Sequence, residues 1–237
     1  MAEPLLELRD VSAGYGAAVV LEDISLDIMD GAGLALLGRN GVGKSTLIQT
    51  IMGFTHLVKG TVHWRGEDIT RLKPYQRARA GIGWIPQERD IFPSLSVEEN
   101  LGVVARPGLW DRAKVFALFP RLEERRANMG NQLSGGEQQM LAIARTLMTN
   151  PSLLLLDEPL EGLAPIVVEE LGRAISDMTK QGGMTLVMVE QHAEVALRMT
   201  DTAVIIERGR IAHRGRSSEL IRDQATLDRF IGLNIGT

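Results

Sequence analysis

The chain has 237 residues, 44% apolar and 24% charged, with no cysteine and a formal net charge of −4. That length suits one large α/β domain or a core with a smaller insert, and the composition is that of an ordinary globular protein rather than a disordered one. Disulfides and thiolate metal sites are excluded, and the mild acidity gives no support to nucleic-acid binding, which would usually require a basic face.

The opening MAEPLLELRD has no basic stretch leading into an apolar one, so no secretory leader is expected. LLELRDV, VVLEDISLDI, AGLALLG and GTVHWRG read as strands between Gly and Asp turns, which predicts a mostly antiparallel N-terminal β region. Within it, GRNGVGKSTLIQTIMG reads as a glycine loop between an apolar strand and a helix over 44–52. GIGWIP reads as a strand, and residues 96–148 as largely helical, with Ser96–Glu99 and Ser134–Glu137 at capping-box spacing.

Further on, SLLLLD, PIVVEELGRAISDMTK, TLVMVE and AEVALRMT alternate strand and helix, the pattern of a parallel sheet with crossover helices. TAVIIERGRIAHRG predicts a hairpin turning at Arg208–Gly209. The expected fold is therefore α/β, with an N-terminal antiparallel β region and an α-helical subdomain inserted into the core. One domain is expected over 1–237, with 1–87 and 149–237 as the core and 88–148 as the helical insert. Apolar runs such as 34–37 and 153–156 fall far below the roughly 18 residues of a membrane span. A soluble, cytosolic protein with at most a peripheral membrane role is expected.

Gly38-Arg39-Asn40-Gly41-Val42-Gly43-Lys44-Ser45 fits G-x-x-x-x-G-K-[ST], the P-loop, and Thr46 follows it. Glycines let the backbone wrap phosphate oxygens and aim N–H groups at them, and the next helix presents its positive end to the same anion. The pattern assigns Lys44 to the β- and γ-phosphates of ATP and Ser45 to Mg²⁺. The core is thus expected to be a P-loop NTPase core. A second acidic site is needed at another strand end, and LLLLDEP supplies it: Asp157 for Mg²⁺ and Glu158 to polarise the attacking water.

NQLSGGEQQMLAIARTL is the most specific stretch, and with it the chain resembles the ATPase subunits of ABC transporters. Leu133 to Gln138 match that family's signature motif. The resemblance implies that Ser134, Gly135 and Gly136 meet the ATP held by a second, identical or paralogous subunit packed head to tail. It also implies that Gln87 joins the Mg²⁺ site to the helical subdomain and that Tyr15 stacks on adenine. The implied setting is the cytoplasmic face of the inner membrane, with integral permease subunits and, indirectly, a solute-binding protein as partners.

Two departures mark a subgroup. Ala164 stands before Pro165 where the family usually has aspartate, and the EGLAP variant resembles the ATPase subunits of branched-chain amino acid importers. The second concerns the histidine switch. Among His56, His63, His192 and His213, only His192 directly follows a buried-looking strand. Counting ten residues back from Asp201 nevertheless lands on Gln191. Gln191 is therefore expected as the phosphate sensor, with His192 as the secondary candidate at the start of a helix. The implied function is ATP hydrolysis driving branched-chain amino acid uptake. Import of urea, amides or other amino acids, lipid export, a non-transport ABC ATPase and a regulatory ATP-binding subunit are the alternatives.

Overall fold

A computed structural model describes residues 3–232; residues 1–2 and 233–237, the ends of the expected domain, lie outside the described residues. β1 (Pro4–Tyr15) and β2 (Ala18–Met29) form a long antiparallel hairpin. β4 (His56–Trp64) pairs antiparallel with the other side of β1, and the short β5 (Glu67–Asp68) closes this four-stranded sheet. β3 (Gly33–Leu37) departs from the antiparallel expectation for its neighbourhood. It lies inside a six-stranded sheet between β8 (Thr185–Val189) and β9 (Thr202–Glu207), parallel to both. The cause is burial: β1 and β2 mix apolar with charged residues, whereas every residue of β3 is buried, as in a strand covered on both faces.

β7 (Leu153–Asp157), β6 (Ile82–Ile85) and β10 (Arg210–Arg216) complete the larger sheet in the order β10–β9–β3–β8–β7–β6. Its strands are parallel except for the β9–β10 hairpin, which turns at Arg208 and Gly209, both at positive φ.

The helices are α1 (Lys44–Met52), α2 (Pro74–Arg79), α3 (Val97–Gly102), α4 (Arg112–Leu118), α5 (Pro120–Glu124), α6 (Gly135–Leu147), α7 (Pro165–Gly182), α8 (Ala193–Met199), α9 (Ser217–Leu220) and α10 (Gln224–Phe230). Among the described residues, no helix is long and apolar enough to cross a membrane.

Side chains alternate across the pleat, so each central strand serves two cores. Leu34, Leu36, Leu153, Leu155, Val187 and Val189 pack with the antiparallel sheet and with Leu47, Ile48 and Ile51 of α1. Ala35, Leu37, Leu154, Leu156, Leu186 and Met188 pack instead with α3 to α8, through residues such as Leu101, Leu122, Leu141 and Leu171. Because β3, β7 and β8 are parallel, their C-terminal ends open on one edge. That edge is where ligands bind in open α/β sheets, and it carries Gly38, Glu158 and Glu190.

Candidate active site

The loop from Gly38 to Gly43 joins β3 to α1, with Gly38, Gly41 and Gly43 at φ 143°, 75° and 113°. At Gly38 a Cβ would lie 2.4 Å from the Ile206 carbonyl oxygen, so both conformation and space require glycine there. Gly43 is the N-cap of α1 and offers no side chain to the first turn, which contains no acidic residue. Leu47 N–H is the first to bond back within the helix, to Gly43 O at 2.9 Å. The preceding N–H groups and the positive end of the helix dipole are left for an anion. Val42 O accepts from Gly209 N–H at 3.0 Å, which ties the loop to the β9–β10 turn.

A cleft of about 290 Å³ lies at this helix start, lined by Asn40, Gly41, Gly43, Lys44, Ser45, Thr46, Gln87, Glu158, Glu161 and Gln191. Lys44 Nζ donates to the Gly38 and Arg39 carbonyls at 2.9 and 3.0 Å and stands 3.8 Å from Glu158 Oε1. Ser45 Oγ donates to Asp157 Oδ1 at 3.0 Å, joining the helix start to the end of β7. Glu158, at φ 49°, turns out of the strand, and its Oε2 accepts from Gln191 Nε2 at 2.9 Å and from Gln87 Nε2 at 3.4 Å. Gln87 Nε2 also donates to Glu161. His192 is exposed, lies at the N-cap of α8 and gives it no side-chain cap. It is not among the residues lining the cleft.

The charges are partly withdrawn from water. Burial pushes the Lys44 ammonium below its ordinary range, while Glu158, Asp157 and Glu190 act in the opposite direction. Burial pushes Asp157 up to about 6, against the hydrogen bond from Ser45. It pushes Glu190 up to about 7, against the hydrogen bond from the Leu160 N–H. A cleft with one buried ammonium, unsatisfied helix N–H groups and clustered carboxylates suits a polyphosphate together with a cation.

A family model described as ABC transporter matches residues 21–161. The chain belongs to the ABC transporter ATPases. Among its relatives is the Pseudomonas aeruginosa high-affinity branched-chain amino acid transport ATP-binding protein BraG, 38% identical over 96% of this chain and 100% of that protein. The Escherichia coli lipopolysaccharide export system ATP-binding protein LptB is 33% identical over 96% of this chain and 97% of that protein. A solved structure of cbiO1 from Clostridium perfringens, part of the transporter complex cbiONQ, superposes with TM-score 0.80 at 26% identity, covering 98% of this chain and 96% of that one.

In this ABC ATPase the remaining site candidates lie around the cleft rather than in it. Tyr15, at the end of β1, is 44% exposed and donates from Oη to Gln49 Oε1 of α1 at 2.7 Å. Ser134 is exposed and caps α6: its Oγ accepts from Glu137 N–H at 3.3 Å, and its own N–H donates to Glu137 Oε2 at 2.8 Å. Gly136 allows α6 to approach α7, since a Cβ would lie 2.7 Å from Val167 Cγ1. Ala164 is the N-cap of α7 and makes no side-chain cap bond.

Two carboxylates at the site, Glu161 and Glu190, have no role in the sequence motifs. Glu190 carried a legible signal, because TLVMVE ends in an acid after an apolar strand much as LLLLDE does. Glu161 carried none, since an exposed loop glutamate is unremarkable until Gln87 is seen against it.

Proposed function

We propose that the chain is the ATP-hydrolysing subunit of an ABC importer for branched-chain amino acids, and that Glu158 is its general base. One observation carries the chemical part: Glu158 turns out of β7 into the cleft beside Lys44 and is gripped by two amides, Gln191 and Gln87. In this reading the α1 N–H groups and Lys44 hold the β- and γ-phosphates. A water oxygen attacks the γ-phosphorus in line with the bond to the β-phosphate oxygen. That bond breaks to release ADP, and Glu158 takes the water's proton.

Ser45 Oγ and Asp157 Oδ1, two oxygen donors 3.0 Å apart at the phosphate side of the cleft, fit a Mg²⁺ that keeps several of its waters. Gln87 adds an amide oxygen to that donor set. When bound, the ion would neutralise charge on the β- and γ-phosphate oxygens. Gln191 would report on the γ-phosphate through its amide, which donates and accepts but cannot carry a proton charge. Tyr15 would stack on the adenine from the end of β1.

The exposed start of α6 supports a second such subunit, whose ATP would meet Ser134, Gly135 and Gly136. Residues 88–148 would be the helical unit that passes motion to permease subunits at the cytoplasmic face of the membrane. A solute-binding protein would then present the substrate on the opposite face. Likeness to BraG supports branched-chain amino acids, and likeness to LptB keeps lipid export as the second reading.

The test is ATP turnover by the chain with its co-purifying membrane subunits in lipid vesicles. Glu158→Gln should retain ATP binding and lower kcat by about a hundredfold or more. Wild-type turnover in that variant would remove Glu158 as base. Stimulation by leucine with its binding protein supports the importer, and stimulation by lipopolysaccharide instead would transfer the assignment to export.

A further inference from the structure

Glu190 is a titratable side chain with no part in the chemistry above. It is 2% exposed at the end of β8, where a carboxylate is unfavourable unless its oxygens are satisfied. Its Oε1 accepts the Leu160 N–H at 3.1 Å across 30 residues of sequence, and Glu190 itself directly precedes Gln191. Leu160 lies in the loop that begins with Glu158, and Gln191 lies in the loop that begins just after Glu190 itself. Gln191 Nε2 in turn holds Glu158 Oε2 at 2.9 Å. The backbones of the two loops are therefore joined by one carboxylate, and their side chains meet at the base.

We propose that Glu190 is a positioning residue that locks the loop after β8 to the loop after β7, so that Gln191 keeps Glu158 aimed at the attacking water. The proposal rests on Glu158 acting as the base. A packing role alone accounts for the burial but not for the bonds, since an apolar side chain would leave the Leu160 N–H unpaired in the interior. The charged groups that face Glu190 are the Glu158 carboxylate and the Lys44 ammonium, both part of the same site.

The experiment measures kcat and KM for ATP in the assembled complex for Glu190→Ala, Glu190→Gln, Gln191→Ala and the double variant Glu190→Ala/Gln191→Ala, beside Glu158→Gln. Glu190→Ala should lower kcat about tenfold and leave KM within about twofold. Glu190→Gln keeps one acceptor oxygen for the Leu160 N–H and should recover most of that loss. The double variant should be no slower than the slower single one, because both changes disable the same contact. If Glu190→Ala does not fold, Glu190→Asp takes its place, since it keeps the charge but is one methylene short of Leu160.

Additive losses in the double variant, a fall in affinity without a fall in kcat, or failure of Glu190→Gln to recover would each overturn the proposal. Loss of turnover in Glu158→Gln with none in Glu190→Ala would overturn this proposal and leave the base assignment standing. Full turnover in Glu158→Gln would instead remove the base on which the proposal depends.

Discussion

α1 and α6 both start at glycine-bearing turns, and both are read here as meeting phosphate, yet their first turns are built in opposite ways. α1 starts at a left-handed glycine, with no side-chain cap and no acid in the first turn. α6 starts at Ser134 in extended backbone, with a complete capping box to Glu137. The first helix leaves its N–H groups to a ligand in a cleft that this chain builds largely alone. The second satisfies part of its own end and stands exposed, and in the proposed reading it meets the ATP of a second subunit. The helix start that opens on the cleft lacks its own cap, and the one that stands exposed carries one.

Gly43→Ala gives the strongest means of breaking this contrast. The substitution forces an alanine to φ 113° and puts its Cβ 2.9 Å from Leu21 Cδ2. We expect a stability loss of about 1–3 kcal/mol, and nucleotide affinity lowered more than about tenfold, because the loop can no longer aim its N–H groups. Denaturant midpoints and titration with a fluorescent ATP analogue check both. Unchanged affinity would mean that the α1 end is not the phosphate site.

Ser134→Ala addresses the other helix and should act more gently. Loss of the cap should lower stability by about 1 kcal/mol in chemical denaturation. Nucleotide binding by the isolated chain should persist, because Ser134 does not line the chain's own cleft. Turnover in the assembled complex should fall. Loss of binding in the isolated chain would place the α6 end inside its own ATP site and remove the contrast.

The same two regions show what a sequence reader can and cannot see. The P-loop and the Ser134–Glu137 box are local: spacing within a few residues specifies the geometry, and both appear where the pattern put them. The register that put Gln191 ten residues before Asp201 is also local, and in the fold it is Gln191, not His192, that lines the cleft. β3 escaped because strand pairing is a long-range choice, although its unbroken apolar run AGLALL differed visibly from the alternating LLELRDV.

The bond from Glu190 to Leu160 and that from Gln87 to Glu161 span 30 and 74 residues, so no window along the chain contains them. Arg77 is the extreme case. It looks like any surface arginine, yet it is 3% exposed and donates to the carbonyls of Thr50, Ile51, Thr70 and Leu72. Burial of that kind follows from tertiary packing alone.

α7 sharpens the comparison with a third kind of helix start, neither capped nor opened toward a ligand. Its N-cap is Ala164, exposed and at φ −65°, ψ 147°, an extended geometry that matches Ser134 within a few tens of degrees. Pro165 has no N–H and the Val167 N–H already donates to the Ala164 carbonyl at 2.9 Å, so aspartate there would accept from the Ile166 N–H and place negative charge at the positive end of an 18-residue helix. Ala164→Asp should therefore raise stability by about 1 kcal/mol, read as a higher denaturant midpoint with unchanged slope. A neutral result would mean that the first turn of α7 is already satisfied by solvent.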